Sequence, residues 1–337
     1  MNRAIIKKKL YQNEAVIDVH THIGISPKFF YQYGYPYALS FEDIVIRMKM
    51  LGIDYSVIFP FVDSAFYVDD INSSKVKTTI KYCDFPYEIE NRNMLNEINE
   101  IFPEYSHKVL PFLMFDPSRE TQKQADFMET LIDKYPVFGL KTASTYIQSF
   151  VTNMETIGKP ILDLARKKQL PITFHSSVHP KDPWAQADDI VALAERNPDI
   201  RFCIAHCARF LKPVLERANK LDNCFIDYSA FIIHCKLAAV DSEAVAVKEL
   251  RFDADYNNPF DVMMKLAKAY PNTMLWGSDT PFNYWIQKYY TSDEKLVEER
   301  LECGYKEETD LLHKLPKDII TKIAYTNNLR FLFGEDK

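Results

Sequence analysis

The fold of this chain is decided at residues 16–22, which read Val16-Ile17-Asp18-Val19-His20-Thr21-His22. The segment is an apolar run of strand character that ends in two histidines separated by one residue. Side chains at positions i and i+2 of a strand project to the same face, so His20 and His22 can converge on one metal ion. Neutral imidazole is the commonest protein ligand for such ions. The pair is a weak signal by itself, and its meaning depends on the ends of later strands.

Strand-like and helix-like segments alternate along the rest of the chain. Strands that alternate with helices pair in parallel, and eight such units predict an α/β fold, a (β/α)8 TIM barrel. A doubly wound open sheet is the alternative, but it usually has a glycine-rich first turn, and this chain has only eight glycines and no G-x-G-x-x-G. The predicted strands cover residues 16–22, 55–61, 109–115, 137–142, 171–175, 200–206, 224–229 and 273–278.

Helix ends are indicated by capping residues and prolines. Ser40 predicts the start of the first helix after a strand, and Gly52 predicts its end. The pairs Asp182-Pro183 and Asn258-Pro259 each predict an N-cap followed by proline at the first helical position. A last helix is expected over residues 319–333, on the outside of the barrel.

Three connections are longer than a plain barrel requires. They cover residues 62–108, 231–257 and 283–315, and each follows the carboxyl end of a predicted strand. Barrel enzymes build substrate pockets and lids at these ends. We therefore expect a single barrel domain over residues 1–337, with loop insertions at the carboxyl ends of the strands.

Composition argues against several classes of protein. The 337 residues are 47% hydrophobic and carry a formal net charge of -6, which disfavours nucleic-acid and anionic-membrane partners. The six cysteines contain no Cys-x-x-Cys and are expected to be reduced, mostly buried thiols. The N-terminus lacks the apolar core of a signal peptide, and no apolar run approaches the roughly 20 residues that span a membrane. We expect a cytoplasmic protein that acts on a small molecule, with homo-oligomerisation left open.

Metal-binding and proton-transferring side chains end four of the predicted strands. The first strand supplies His20 and His22, the fifth His175, the sixth His206 and the eighth Asp279. Each residue alone is ordinarily a hydrogen-bonded core histidine or a helix cap. Burying all of them at one barrel mouth is costly unless a cation or a proton network compensates them. Together they therefore predict a metal site.

Five motifs follow one another along the chain: IDVHTHIG (17–24), FHSS (174–177), IAHCAR (204–209), WGSDTPF (276–282) and TNNLRFLFG (326–334). Together they resemble the amidohydrolase superfamily, in particular its metal-dependent amidohydrolase 2 branch. The resemblance spans residues 16–334 and implies a (β/α)8 barrel with one divalent ion, for which zinc is preferred and manganese is the alternative. It further implies that His20, His22 and His175 are ligands, that Asp279 is a ligand or a base close to the metal, and that His206 is the catalytic histidine.

The chemistry of these residues agrees with the resemblance. Three neutral imidazoles leave the charge of the ion largely intact, which lowers the pKa of a bound water. Asp279 can take a proton and pass it to a leaving group, while His206 can orient the nucleophile or stabilise developing charge. Asp18 has the same strand parity as the two histidines of the first strand. It is expected either to support a metal ligand or to anchor barrel backbone.

Four further residues are candidates for substrate binding. Lys141 ends the fourth strand, where some binuclear members of the superfamily carry a carboxylated lysine between two ions; substrate-anion binding or a structural ion pair is preferred here. Arg209 is a candidate for binding a substrate carboxylate, with a surface ion pair as the alternative. Tyr31 and Tyr33 lie in an aromatic loop and could line the pocket of a cyclic substrate, or pack within the loop itself.

The resemblance leaves two reactions open. Members of the branch hydrolyse amide, lactone or ester-like bonds, and others release carbon dioxide from aromatic or dienoic acids through a similar metal site. Many hydroxybenzoate decarboxylases of the branch carry Glu-x-His where this chain has His20 and His22, although the aminocarboxymuconate-semialdehyde type also has two histidines. We expect a hydrolase of a small carboxylated or cyclic substrate, with a non-oxidative decarboxylase as the alternative. A non-catalytic metal-binding protein is disfavoured, because it would need neither Asp279 nor His206.

Overall fold

The computed structural model describes residues 3–26, 38–69, 76–78, 83–282, 285–290 and 294–334. The strands are β1 (Ile17–Ile25), β2 (Ala38–Leu39), β3 (Tyr55–Pro60), β4 (Tyr67–Asp69), β5 (Val76–Thr78), β6 (Val109–Met114), β7 (Gly139–Thr142), β8 (Ile172–Phe174), β9 (Phe202–Ile204), β10 (Cys224–Asp227), β11 (Met274–Leu275), β12 (Trp285–Tyr290) and β13 (Leu296–Leu301). The α-helices are α1 (Arg3–Gln12), α2 (Phe41–Leu51), α3 (Glu88–Asn96), α4 (Thr121–Lys134), α5 (Ser144–Ile147), α6 (Lys159–Lys168), α7 (Ala187–Arg196), α8 (Lys212–Ala218), α9 (Phe231–Ala239), α10 (Pro259–Ala269), α11 (Tyr305–His313), α12 (Lys317–Thr321) and α13 (Asn327–Phe333).

In the described part of the chain, eight parallel strands form the barrel in the order β1, β3, β6, β7, β8, β9, β10, β11. The circle closes where residues after β11 meet β1. The N–H of His22 donates to the carbonyl of Thr280 at 2.8 Å, and the N–H of Asp279 donates to the carbonyl of His20 at 2.7 Å. The short strand β2 pairs antiparallel with the end of β1, while β4 with β5 and β12 with β13 form separate hairpins. The predicted (β/α)8 barrel is confirmed.

Alternate residues of the barrel strands pack in two different layers. On β3, Val57 joins the cluster that fills the barrel, whereas its neighbour Ile58 packs in the layer between strands and helices. Phe331 from α13 also joins the inner cluster, and its ring centroid lies 6.2 Å from that of Phe112. Gly139 on β7 leaves room for this packing, because a Cβ atom there would lie 2.3 Å from the Phe112 ring. The barrel interior is therefore packed beneath its carboxyl end.

Two of the predicted helix starts are confirmed. The hydroxyl of Ser40 accepts from the N–H of Asp43 at the start of α2, and Gly52 ends the helix with a φ of 72°. The side chain of Asn258 caps α10, whose first residue is a proline. These caps satisfy N–H groups that have no partner within the helix.

The helix start predicted at Asp182-Pro183 is wrong. The helix that follows, α7, begins at Ala187. The carboxylate of Asp182 instead accepts from the Thr145 hydroxyl at 2.7 Å, which holds it in the turn before the helix. The helix predicted over residues 319–333 is present as α12 and α13, joined by a single π-helical turn at Lys322–Thr326.

Two expectations from composition can be compared with the structure. All six cysteines lie in described ranges, are buried and are free thiols, as expected. Within the described residues, every helix is too short or too polar to cross a membrane.

Candidate active site

Three of the predicted metal ligands meet at the carboxyl end of the barrel. Among the described residues, His20, His22 and Asp279 are all buried, and one ligand atom of each lies within 4.8 Å of the others. Nε2 of His20 and Nε2 of His22 lie 3.2 and 3.4 Å from the same carboxylate oxygen of Asp279. Two imidazole nitrogens and a carboxylate oxygen are a donor set that suits Zn²⁺ or Mn²⁺. The residues present therefore fit a divalent ion.

Hydrogen bonds at the far side of each ring orient these two histidines. Nδ1 of His20 donates to a carboxylate oxygen of Asp227 at 2.8 Å, and Nδ1 of His22 donates to the carbonyl of Pro60 at 2.9 Å. These partners assign the proton of each ring to Nδ1 and leave the lone pair on Nε2, toward Asp279. Burial lowers the pKa of His22 to about 4, so this ring is neutral near pH 7.

Asp227, the last residue of β10, connects two parts of the site. It is fully buried and accepts from Nδ1 of His20 and from the N–H groups of His206 and Ser229, at 2.8, 2.9 and 3.0 Å. Burial opposes its ionisation, but the neighbouring imidazole of His20 keeps the pKa of Asp227 below its usual range. Its position at the end of a barrel strand was the only sequence signal for this role.

His206 lies at the start of a left-handed turn, His206–Phe210. The five residues have φ values between 47° and 62°, and none of them is glycine. Each left-handed residue costs roughly 1–2 kcal/mol, so neighbouring groups must hold the turn. The N–H of His206 donates to Asp227 at 2.9 Å, and the carbonyl of Arg209 accepts from the N–H of Ala246 at 2.9 Å. The turn brings both His206 and Arg209 to one cavity.

His175 lines the same cavity, but both of its ring nitrogens have other partners. Nδ1 lies 2.9 Å from Nε2 of His206, and Nε2 accepts from Arg209 at 3.1 Å. Because Nδ1 of His206 donates to the carbonyl of Ser229 at 3.1 Å, its Nε2 is the acceptor of the bond from His175. The three-residue cluster found among the described residues does not include His175. Its role as a metal ligand stays a prediction.

The cavity over these groups has a volume of about 340 Å³ and contains two cationic side chains. Lys141 is 1% exposed, and its Nζ lies 3.3 Å from Nε2 of His20. Burial lowers the pKa of Lys141 to about 8. Within the described ranges, neither Lys141 nor Arg209 forms an ion pair with a carboxylate. Because no carboxylate is paired directly with these two positive charges, the cavity is suitable for an anion.

The remaining candidates have different outcomes. Tyr31 and Tyr33 lie outside the described residues. Asp18 accepts from the N–H groups of His20 and Ser278, both at 3.0 Å, so it anchors backbone where β1 meets the segment after β11. Burial raises the pKa of Asp18 to about 6.

One cavity residue was missed at the sequence level. His234 is 4% exposed and lines the cavity, where its Nε2 accepts from Arg209. It lies on α9 and not at a strand end, so the pattern that selected the other histidines did not select it. Its contact with Arg209 depends on the turn after β9.

The closed (β/α)8 barrel brings two histidines of β1 and an aspartate after β11 together in an arrangement that could hold a metal ion. The family model described as Amidohydrolase matches residues 89–334. The chain belongs to this family, the amidohydrolase 2 branch, as its motifs had indicated. No curated protein sequence matches the chain.

Solved structures with the same fold cover almost the whole chain. A probable 2-pyrone-4,6-dicarboxylic acid hydrolase from Acinetobacter baumannii has a TM-score of 0.55 and 14% identity, over 95% of this chain and 100% of that one. A dihydroxybenzoic acid decarboxylase from Polaromonas sp. JS666, with bound manganese and 2-nitroresorcinol, has a TM-score of 0.57 and 10% identity, over 95% and 97%. A 4-oxalomesaconate hydratase from Rhodopseudomonas palustris has a TM-score of 0.55 and 15% identity, over 94% and 95%. These similarities support the fold.

Proposed function

We propose that this chain is a metal-dependent hydrolase that attacks an amide, lactone or ester-like bond of a small carboxylated or cyclic substrate. One observation carries the proposal. The cluster of His20, His22 and Asp279 shares a cavity with the two cations Lys141 and Arg209. Such a cavity can hold a divalent ion at one end and an anionic group of the substrate at the other.

The metal would be held by His20, His22 and Asp279. His175 is the further ligand that the motif predicts, and it would have to release its bond with His206 or with Arg209 to bind the ion. When bound, the ion would act as a Lewis acid and lower the pKa of water toward neutrality. We prefer zinc and keep manganese as the alternative, since the decarboxylase from Polaromonas was solved with manganese. A second ion bridged by carboxylated Lys141 is the less favoured arrangement, and metal analysis distinguishes one ion from two.

Asp279 and His206 would move and orient the protons of the reaction. In the tautomers assigned above, Nε2 of His20 and Nε2 of His22 face Asp279 without a proton, so a bound divalent cation would keep Asp279 ionised near pH 7. Asp279 can therefore accept a proton from the attacking water and give it to the leaving group. Nδ1 of His206 lies 3.8 Å from the second oxygen of Asp279. The lone pair on Nε2 of His206 accepts from His175 in this structure, so His206 would orient the O–H of the nucleophile when that bond is released.

Arg209 and Lys141 would bind the anionic part of the substrate. Arg209 offers a planar pair of terminal nitrogens that suits a carboxylate, whereas the ammonium of Lys141 is a compact charge near His20. Tyr31 and Tyr33 remain candidates for the wall beside a cyclic substrate.

A non-oxidative decarboxylase of an aromatic or dienoic acid is the alternative function. It is supported by the same cations, because a substrate whose reacting group is itself a carboxylate would be attracted to Lys141 beside the metal cluster. The decarboxylase among the similar structures has the same fold and binds manganese. The two functions differ in the atoms that are transferred.

The deciding experiment combines metal analysis with a screen of carboxylated lactones, amides and hydroxybenzoates in ¹⁸O-labelled water. Hydrolysis incorporates ¹⁸O into the organic product, whereas decarboxylation releases carbon dioxide and leaves the organic product unlabelled. We expect Asp279→Asn and His206→Asn to stay folded and to lose turnover severely, and His20→Ala with His22→Ala to lose the metal. His313→Asn is a control, because His313 is exposed and its ring forms one hydrogen bond within the described residues, to the carbonyl of Leu51. Full activity of metal-free protein would contradict the proposal.

A further inference from the structure

The guanidinium of Arg209 has more hydrogen-bond donors than the surrounding protein uses. Its Nε donates to the carbonyl of Ser176 at 2.7 Å, one terminal nitrogen donates to Nε2 of His175 at 3.1 Å, and the other donates to Nε2 of His234. A guanidinium carries five N–H donors. In the described part of the chain, one donor on each terminal nitrogen is therefore left without an acceptor. A carboxylate has two oxygens at the spacing that such a pair of donors requires.

His234 is held in one tautomer by its own helix. Its Nδ1 donates to the carbonyl of Ala230 at 2.7 Å, so its Nε2 carries no proton and can only accept. Burial, with a contribution from the charge of Arg209, lowers the pKa of His234 to about 3. The ring centroid lies 5.1 Å from that of His206. The start of α9 is fixed in turn by Glu308, which accepts from the N–H of Ile232 at 3.0 Å.

We propose that His234 is a positioning residue that fixes the direction of the Arg209 guanidinium and so selects substrates with a carboxylate within its reach. The inference rests on the proposed function, which places a carboxylated substrate in this cavity. All three acceptors around Arg209 are neutral, so they orient the guanidinium without cancelling its charge.

The residue type at position 234 matters for this role. An acidic side chain there would form an ion pair with Arg209 and compete with the substrate. An aliphatic side chain would leave an N–H of Arg209 without an acceptor in a partly buried site. A histidine whose other nitrogen is already protonated satisfies the donor and leaves the positive charge available.

The test measures binding of two simple probes, benzoate and benzene-1,3-dicarboxylate, to the metal-loaded protein by calorimetry. The second carboxylate of the longer probe reports on Arg209 even if the first one binds the metal. We expect the wild type to prefer the dicarboxylate. His234→Leu should reduce this preference about tenfold, as expected when a charged donor loses its acceptor. His234→Gln, whose carboxamide oxygen can replace Nε2, should keep the preference within about threefold of the wild type.

A double-mutant cycle separates positioning from packing. If His234 acts through Arg209, His234→Leu should cause no further loss in an Arg209→Gln background. His179→Leu is the control, because His179 lines the same cavity but contacts Glu243 at 3.3 Å and not Arg209. It should leave the preference for the dicarboxylate unchanged. Thermal unfolding of each variant verifies that the cavity is folded.

Three results would overturn the inference: no preference in the wild type, an unchanged preference in His234→Leu, or a loss that is the same in Arg209→Gln. Failure of the glutamine variant to restore binding would also overturn it, because packing alone would then explain the leucine variant. The binding experiment needs no turnover. A screen that finds no hydrolysis would therefore refute the proposed function without deciding this one.

Discussion

We predict that Asp227→Asn weakens metal binding through the tautomer of His20. The Asp227 carboxylate accepts Nδ1–H of His20 at 2.8 Å on one oxygen and the N–H groups of His206 and Ser229 on the other. An asparagine has one oxygen only, so its NH₂ group must face a donor on one side. If it faces Nδ1, the ring can accept that bond only by moving its proton to Nε2, the nitrogen that faces Asp279.

The expected loss of metal affinity follows from the exchange of this single hydrogen bond. Losing a hydrogen bond to a charged acceptor costs about 1.5–3 kcal/mol. Each factor of ten in affinity corresponds to about 1.4 kcal/mol, so the dissociation constant for Zn²⁺ or Mn²⁺ should rise about 10- to 100-fold. The assay is a competition titration of metal-depleted protein against a chromophoric chelator at constant pH.

Asp116→Asn is the matched control for this prediction. Asp116 is also fully buried beyond the end of a barrel strand, and it accepts from Arg119 at 2.8 Å and from the N–H of Ser118 at 2.8 Å. It does not contact His20 or His22, so its substitution should lower stability but leave metal affinity within about twofold. Wild-type affinity in Asp227→Asn, or equal losses in both variants, would refute the tautomer argument.

Three further predictions concern stability. Burial raises the pKa of Glu308 from 4.5 to about 8. Between these pH values the unfolded chain has released a proton that the folded chain keeps, so the stability of the protein falls as pH rises. Glu308→Gln should flatten this decline in thermal unfolding from pH 5 to 8.5, and identical slopes for the two proteins would contradict the prediction. Ala208→Gly should leave stability unchanged or raise it by up to about 1 kcal/mol, because the φ of Ala208 is 47°, which glycine adopts without strain. Ala165→Gly within α6 should instead lower stability by about 1 kcal/mol in urea unfolding. Equal losses in the two variants would count against strain in the turn. Gly139→Ala should destabilise by about 1–3 kcal/mol, because its Cβ would lie 2.3 Å from the Phe112 ring, and an unchanged urea midpoint would show that the ring can move.

The barrel could be predicted because its signals are local and repeat along the chain. Each strand is a short apolar run, and parallel pairing follows from the helices between the strands. The capping signal at Asp182-Pro183 failed because it is equally local: an aspartate that caps a helix can also accept in a turn, and here it accepts from Thr145. Strand and helix types were therefore more predictable than helix boundaries.

For the candidate active site, the sequence predicted which residues group together but not the hydrogen bonds between them. Histidines and aspartates at strand ends must share the carboxyl end of a barrel, so His20, His22 and Asp279 could be grouped before any distance was known. His234 could not, because nothing in the periodicity of α9 distinguishes a cavity histidine from a core histidine. Asp227 was visible as a strand-end carboxylate, but its partner was not.

By itself, the sequence determined the alternation of strands and helices, the family motifs and the residues that end each strand. Only the tertiary structure decided which nitrogen of each ring is free, because that depends on a partner such as Asp227, which lies 207 positions from His20 in the chain. It also decided that the left-handed turn after β9 brings Arg209 to His234 and His175. The direction of a hydrogen bond is set by groups that are close in space, and the order of residues along the chain does not show which groups these are.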